Sequence, residues 1–528
     1  MKNIILACLT ILLLTWFLYS EIPILKLLEA GKFEEVRRII NSASEKDHLV
    51  TFYNSLYHLY LGDYTKAAEY VVRFTSYSMT DEQQFFVSYI LNLKQIFSNG
   101  YNEYESDHFK IYLKGRDVIL KDFAILQLEK IYKTFGEKFG FYPERKVRIE
   151  VYNTKEEFAF ASTLGMDIIE KTGVVGICKF NRIMILSPEC LPFGYRWLDT
   201  LAHEYIHFIL NHISEYSLPL YLHEATARYY DTLYRSTEPL CFSAGNVNLL
   251  LQAKMSNKII PFSSFKGSLV YLDSQQEIDL AFVELASFVK HLVENYGENN
   301  FLQFIKHYKN YKDDEDKLYN KIYGLKFDKL MSLWEDNLEL MFTNLSSYPG
   351  AQPDWKCIYI KQQDELLGLD QRQYIELGDK FLAKKDYKTA IFQYKKAQKF
   401  EMFNPIVLTR LAKAYLAAKM YEEAEDILNQ CISANPNFVA GYELLFNVYF
   451  EKGEYEKALD VYKQILEINP FNYKIRKTVA EIYSDLGKLE HAIDEYKIVK
   501  VLNPTDADVD VRIDTLNRYL EIKKLQRK

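Results

Sequence analysis

Glycine and proline are scarce in this chain, with 20 and 13 among 528 residues. Their low content excludes collagen-like and low-complexity classes and favours long helices over a turn-rich β protein. The six cysteines are scattered and include no Cys-x-x-Cys pair. The sequence therefore predicts no disulfide framework, and we expect the cysteines to act as small buried apolar residues.

The chain also lacks an excess of positive charge. Its 65 basic and 72 acidic residues give a formal net charge of −7, so no nucleic-acid partner is expected. Aromatic residues are abundant: Tyr, Phe and Trp make up 15% of the chain. With so few helix breakers, this content predicts large rings packed between helices.

The N-terminus carries one long apolar run. Lys2 is followed by apolar residues from Ile4 to Tyr19, a length typical of a signal peptide or of a short membrane anchor. Leu18 and Ser20 form a weak cleavage signal, because small residues are preferred at both places. Residues 1–20 are predicted to be a signal peptide or an N-terminal anchor, with a buried helix as the alternative. We expect an exported protein, anchored in the cell membrane and facing outside the cytoplasm, or periplasmic or extracellular if the leader is cleaved.

The C-terminal part contains a 34-residue repeat. A small residue, a proline and a tyrosine recur at this spacing: Ala424, Ala458 and Ala492; Pro436, Pro470 and Pro504; Tyr415, Tyr449 and Tyr483. This pattern resembles the tetratricopeptide repeat, a helix pair that stacks into a solenoid. We predict four such repeats over 371–504 and a capping helix over 505–528, with a protein partner bound by the repeats.

The regions before the repeats have other sequence patterns. Residues 21–104 are predicted to form helical hairpins like degenerate repeats, because Gly31 and Gly62 each precede a similar helix start. Alternating or apolar segments at 108–113, 146–152 and 182–186 predict strands, and long helical stretches follow. These features predict an α+β domain over 105–343, joined to the repeats by a linker over 344–370.

The chemistry is carried by a His-Glu-x-x-His motif. His203 and His207 lie four residues apart in an apolar-periodic helix, so both imidazoles face one side and can bind one zinc ion. Glu204 lies beside that face and can act as a general base. A third ligand is expected from Glu224, because a helix starting after Pro219 would return it to the two histidines. The alternative is a helix with two surface histidines and a solvated glutamate.

These motifs resemble the gluzincin metallopeptidases, and most closely the peptidase MA-like group within them. Looser similarities lie at Gly173–Gly176, at Ile259–Phe262 and in the helix around Phe282. The resemblance implies a thermolysin-like zinc peptidase domain, flanked here by all-α helical hairpins and a repeat solenoid. It also implies one Zn²⁺ per chain, held by His203, His207 and Glu224, with Glu204 as catalytic base.

The chain departs from that family at Phe282, which replaces a tyrosine. If the tyrosine hydroxyl assists the transition state, His223, Tyr229 or Tyr230 could replace it, although helix packing also explains both tyrosines. Asp199 or Asp231 could orient a ligand histidine, or could be a solvated carboxylate.

The predicted function is hydrolysis of peptide bonds by metal-activated water, with the repeats docking a peptide or protein substrate or a partner protein. Membrane contact is expected only through an uncleaved N-terminal segment. Two alternatives remain: a catalytically inactive scaffold of an envelope complex, and a zinc hydrolase acting on a non-peptide amide.

Overall fold

The computed structural model describes residues 23–42, 48–74, 79–239, 242–266, 274–342 and 367–526, together with 269, 272 and 351. The predicted leader and most of the predicted linker lie outside the described residues. Within the described part, no helix is both long and apolar enough to cross a membrane. These described residues are mostly helical and include one small sheet.

In the described residues before the sheet, the structure has five α-helices. They are α1 (Pro23–Glu29), α2 (Phe33–Ser42), α3 (His48–Tyr60), α4 (Tyr64–Phe74) and α5 (Asp81–Ser98). Helix α5 begins at a capping box, in which Thr80 accepts the backbone N–H of Gln83 and the Gln83 side chain accepts that of Thr80. The apolar faces of these helices share one core with side chains from one face of the sheet.

The sheet has five strands in the order β1-β2-β3-β5-β4. They are β1 (Tyr101–Glu105), β2 (Phe109–Lys114), β3 (Val147–Tyr152), β4 (Gly176–Lys179) and β5 (Arg182–Leu186). The three central strands are parallel, and β1 and β4 are antiparallel edges. The three central strands match the segments predicted from the sequence, whereas the two edge strands were not predicted as strands.

Strand β5 shows why this sheet lies in the interior. All five of its residues are buried. Met184 and Leu186 face the N-terminal helices, whereas Ile183 and Ile185 face the core of the central region. A strand of a parallel sheet that is covered on both faces is buried along its whole length in this way, so the N-terminal helices are an integral layer over the sheet.

A buried ionic cluster fixes that layer. The carboxylate of Glu150 is fully buried and lies 2.5 Å from Nε of Arg148 and 3.1 Å from Nε of Arg182. It also accepts the hydroxyl of Tyr64 from helix α4 and that of Tyr152. Because a buried carboxylate needs such partners, the contact sets the position of α4 on strand β3.

Ten α-helices surround the sheet in the part of the central region that the structure describes. They are α6 (Lys121–Phe139), α7 (Lys155–Ser162), α8 (Met166–Thr172), α9 (Trp197–Ser214), α10 (Leu220–Tyr230), α11 (Ala244–Met255), α12 (Gln275–Tyr296), α13 (Glu298–His307), α14 (Glu315–Tyr323) and α15 (Phe327–Met341). Helices α6 and α9 cover the second face of the sheet, and α10 packs against α9 and α12.

The C-terminal region is a stack of helix pairs. The pairs are α16 (Leu369–Ala383) with α17 (Tyr387–Gln398), α18 (Pro405–Ala417) with α19 (Tyr421–Ala434), α20 (Val439–Lys452) with α21 (Tyr455–Ile468), and α22 (Tyr473–Asp485) with α23 (Leu489–Leu502); a last helix, α24 (Ala507–Gln526), packs on α23. The repeated alanines Ala424, Ala458 and Ala492 are fully buried, because only a small side chain fits where two helices approach closely. We call this stack, from 369 to 526, the array.

Candidate metal centre

Helix α9 positions the two histidines. Leu198, Leu201, Tyr205 and Ile209 are almost completely buried and hold the helix against the sheet. His203 and His207 project from the other side of the helix, with ring centroids 4.7 Å apart. The four-residue spacing places the two Nε2 atoms 3.1 Å apart.

Helix α10 supplies the third side chain. It starts at Leu220 after Pro219, whose fixed φ suits a helix start, and it packs against α9. Oε2 of Glu224 lies 3.3 Å from Nε2 of His203 and 3.5 Å from Nε2 of His207. In the described part of the chain, these three residues are the one group of histidine, cysteine or acidic side chains arranged to hold a metal ion.

The triangle formed by these atoms has the size that zinc requires. In a tetrahedral site with zinc–nitrogen and zinc–oxygen bonds of about 2.0–2.1 Å, neighbouring ligand atoms are about 3.3 Å apart. The three observed separations, 3.1, 3.3 and 3.5 Å, bracket this value. Two imidazoles and one carboxylate also match the donor set of a catalytic zinc site, so the residues present fit the ion.

Asp231 supports the centre from behind. Its Oδ2 lies 3.4 Å from Nδ1 of His203, which turns Nε2 towards Glu224, and both its oxygens lie 2.9 Å from Nη1 of Arg228. Burial alone would lower the pKa of His203, but hydrogen bonds to Asp231 and Glu224 outweigh burial and raise that pKa to about 10. The surroundings of this imidazole therefore favour a positive charge at the centre.

The same electrostatics appear at Glu224. Burial alone would raise the pKa of this carboxyl, but the neighbouring His207 and His203 hold it well below its usual value. Glu224 is therefore an anion within the centre, and a carboxylate is the form that binds a metal.

Glu204 lies on the side of the centre next to strand β4. Its side chain is buried, and it accepts a backbone hydrogen bond from Cys178. Burial raises the pKa of Glu204, and His207 and His203 oppose that rise. Gly176 lines this contact: a Cβ there would lie 2.5 Å from Cγ2 of Thr200 and 2.9 Å from Oε1 of Glu204. Glycine at this position leaves room for the carboxylate.

Of the three predicted hydrogen-bond donors, His223, Tyr229 and Tyr230, one lines the cleft and two do not. His223 lines the cleft. Burial and, to a smaller extent, the nearby His207 lower its pKa to about 3, so its imidazole is neutral. Tyr230 donates its hydroxyl to Glu298, and Tyr229 packs edge-on against Tyr230. Neither tyrosine lines the cleft, so neither is placed to serve the reacting atoms.

Asp199 is also committed elsewhere. Its carboxylate accepts two 2.7 Å hydrogen bonds from Arg235 and one of 2.8 Å from the hydroxyl of Tyr234. Neither of the two roles considered for Asp199 is observed: its oxygens are occupied by a guanidinium and a phenol, so it does not orient a ligand histidine, and it is not a solvated carboxylate. Of the two aspartates, Asp231 has the contact with a ligand.

The centre opens into a cleft with a volume of about 860 Å³. Apolar side chains line one part, including Val174, Leu220, Ile278 and Phe282. The Phe282 ring lies 6.3 Å from that of His203, so a phenyl group occupies this side of the centre. The cleft is large enough for several residues of an extended peptide.

Sequence reasoning missed several contributors to this site. Gly176 and the backbone of Cys178 lie against Glu204, and Arg228 pairs with Asp231. The sequence marks Gly176 only as part of a looser family similarity, and it assigns no role to Cys178 or Arg228. The spacing of three between Arg228 and Asp231 on a helix was a usable signal for their pairing. The cleft wall formed by Asn437 and Gln464 had no local signal, because it depends on contacts between distant parts of the chain.

Comparisons with known proteins identify two kinds of domain in the chain. A family model described as the peptidase MA superfamily matches residues 129–339. Two tetratricopeptide repeat models match residues 381–445 and 442–472. No curated protein matches the chain.

Three similar solved structures each cover less than a third of this chain. MamA is 22% identical over 28% of this chain and 86% of its own, with a TM-score of 0.26. YrrB, titled a TPR protein with an unusual peptide-binding site, is 20% identical over 28% of this chain and 76% of its own, with a TM-score of 0.25. The first TPR of Spaghetti (RPAP3), bound to an HSP90 peptide, is 26% identical over 22% of this chain and 95% of its own, with a TM-score of 0.22. From the family models, the chain contains a peptidase MA superfamily domain followed by tetratricopeptide repeats.

Proposed function

We propose that the protein is a zinc-dependent peptidase that hydrolyses peptide bonds with water as the nucleophile. The observation that carries the proposal is the triangle of ligand atoms, with separations of 3.1, 3.3 and 3.5 Å. Zinc would be held by His203, His207 and Glu224, one ion per chain. When bound, zinc supplies Lewis-acid activation of a water molecule and of a carbonyl group.

Glu204 is the general base in this proposal. Its carboxylate takes a proton from the attacking water and returns it to the leaving amine. The backbone of Cys178 favours the charged form of Glu204, whereas burial raises its pKa towards the range in which a carboxyl group can both take up and release a proton. His223 is the one predicted donor that lines the cleft, so we assign to it any hydrogen bond to the developing oxyanion.

The substrate is proposed to bind in an extended form along strand β4. This strand pairs with β5 on one side and is an edge of the sheet on the other. An edge strand offers backbone N–H and C=O groups to an extended peptide. Ile177 and Cys178 of this strand line the cleft beside the metal centre.

The array is proposed to dock the substrate protein or a partner protein, since tetratricopeptide repeats provide extended binding surfaces. Thermolysin-like architecture in the central domain is part of the same proposal. We also propose export of the protein, on the apolar run from Ile4 to Tyr19 alone.

A second candidate is a catalytically inactive scaffold built around the repeats. The observation that favours it is Phe282, which places a ring without a hydroxyl 6.3 Å from that of His203. The intact triangle and the buried Glu204 favour the peptidase.

Zinc content and cleavage together test the proposal. We expect about one zinc per chain in the purified protein by inductively coupled plasma mass spectrometry, and a large loss of metal in Glu224→Ala. Glu215→Ala is the control, because Glu215 is exposed and pairs with Lys309 outside the centre. Glu204→Gln should retain zinc and lose cleavage of casein. Absence of metal in the natural protein favours the scaffold, and full activity of Glu204→Gln rules out its role as base.

A further inference from the structure

The array is joined to the helix that carries the metal motif. Tyr195 donates its backbone N–H to the carbonyl of Ile468 at 3.0 Å, and Trp197 donates its ring N–H to the carbonyl of Leu466 at 3.0 Å. Gly194 has a φ of +71°, and a Cβ there would lie 2.2 Å from the oxygen of Ile468. The turn that starts α9 therefore sits directly on the end of helix α21.

Arg196 completes this contact with its whole guanidinium group. Nε donates to Oδ1 of Asn437 at 2.9 Å, and Nη1 donates to Glu467 at 2.8 Å. Nη2 donates to the carbonyl of Pro436 at 3.1 Å and to the hydroxyl of Tyr442 at 3.2 Å. The side chain is 11% exposed, so the pairing is shielded from water and fixes these array residues relative to the metal centre.

The fixed residues form part of the cleft. The lining that includes the metal ligands also includes Asn437, Tyr442 and Gln464 from the array. Because Oδ1 of Asn437 accepts from Arg196, its amide NH₂ group keeps its donors for another partner. Gln464 is half-buried and has no side-chain hydrogen bond to another residue of the described part.

The charges nearby are already paired. Arg196 binds Glu467, and Arg235 binds Asp199. Of the array residues that line the cleft, Asn437 and Gln464 therefore offer uncharged amide groups to a ligand. Amides of this kind donate to and accept from peptide groups and uncharged polar side chains.

We infer that Asn437 and Gln464 form a substrate subsite, in which the array recognises a peptide segment with a polar, uncharged side chain while the same peptide occupies the metal centre. This inference rests on the proposed peptidase function. It gives the array a part in selecting the cleavage site, separate from any docking elsewhere on its surface.

The repeat itself provides a matched control for Gln464. Gln430 is the equivalent residue one 34-residue period earlier, on helix α19, where it is exposed and does not line the cleft. The same substitutions at both positions change the charge of the array equally, but a charge enters the cleft only at position 464.

The test uses the zinc-loaded full chain and a synthetic mixture of random dodecapeptides. Cleavage sites are identified by mass spectrometry for Gln464→Glu, Gln464→Lys and the same two changes at Gln430. At one position relative to the cleaved bond, Gln464→Lys should enrich Asp and Glu about threefold to fivefold, and Gln464→Glu should enrich Lys and Arg equally. The Gln430 variants should match the natural protein.

A second readout does not depend on turnover. Glu204→Gln is combined with Gln464→Lys or with Gln464→Glu, and each protein is immobilised and mixed with the dodecapeptides. The retained peptides are then sequenced. We expect Asp and Glu to be enriched with Gln464→Lys, and Lys and Arg to be enriched with Gln464→Glu. If these appear while the natural protein cleaves nothing, the subsite stands and the peptidase proposal falls. If neither readout shifts with the charge at Gln464, or if the Gln430 variants shift as much, the subsite is wrong.

Discussion

Replacement of Gly176 by alanine should remove most of the peptidase activity without removing the metal. The added Cβ would lie 2.5 Å from Cγ2 of Thr200 and 2.9 Å from Oε1 of Glu204. Real Cβ atoms do not approach other heavy atoms this closely, so strand β4 and the Glu204 side chain must move apart. The displacement acts on the proposed base and on none of the three proposed zinc ligands.

The magnitude follows from the size of that displacement. An ordinary van der Waals contact needs about 3.5–4.0 Å, so relief of the 2.5 Å and 2.9 Å contacts requires a shift of about 1 Å. A misplacement of this size costs about 10²-fold in rate. Overpacking of this kind also lowers the free energy of unfolding by about 1–3 kcal/mol.

The assay compares kcat for cleavage of casein-derived peptides with zinc content, both measured on the full chain. Gly441→Ala is the control: a Cβ there would lie 3.3 Å from Ile432 and 3.5 Å from Cys431, and Gly441 does not line the cleft, so kcat should be unchanged. A Gly176→Ala protein with full zinc and an unchanged kcat would refute the assignment of Glu204. Loss of zinc in that variant would show that the strand supports the ligands as well.

Three further outcomes are expected. Asp231→Asn should weaken zinc binding about 10–100-fold in a chelator competition, because His203 loses the partner that orients its ring; unchanged affinity would contradict this role. Arg196→Ala should lower the free energy of unfolding in urea by about 3 kcal/mol, because Glu467, whose side chain is 14% exposed, loses its partner; a change near zero would contradict the described contact. Burial raises the pKa of Asp117 to about 7, and a raised folded pKa means that ionisation destabilises the folded state. That cost is absent below about pH 4 and complete above about pH 7. Between pH 4 and pH 8, the free energy of unfolding of Asp117→Asn should therefore rise by about 2–4 kcal/mol relative to that of the natural protein. A difference in unfolding free energy that does not change with pH would contradict this prediction.

The parts of the fold that could be predicted are those with a strong local period. The 34-residue spacing located the repeats, and the structure buries Ala424, Ala458 and Ala492 at the helix crossings. The apolar alternation located the three central strands. In contrast, β1 has the sequence Tyr-Asn-Glu-Tyr-Glu and a mostly exposed edge, so it carries no strand pattern that distinguishes it from a loop.

In the candidate site too, local spacing predicted some residues, whereas tertiary packing decided others. His203, His207 and Glu224 could be named because helical spacing and a returning helix suffice to bring them together. The choice between Asp199 and Asp231 could not be made, because it was decided by Arg235 and Tyr234, whose positions depend on tertiary packing. The aromatic content was largely architectural as expected, with Tyr394, Tyr462 and Tyr496 buried in the array.

Helix α9 is held at both ends by segments outside the matched peptidase region. At its start, Gly194 and Arg196 lie against the array. Near its end, the imidazole of His212 packs against Gly31 so closely that a Cβ on Gly31 would lie 2.6 Å from Nε2 of His212. Phe471 and Leu502 of the array also belong to the main core. The consequence concerns cooperativity: the N-terminal helices, the central domain and the array should melt in a single calorimetric transition. A protein cut down to 129–339 would lose both supports of α9 and should not retain a formed metal centre.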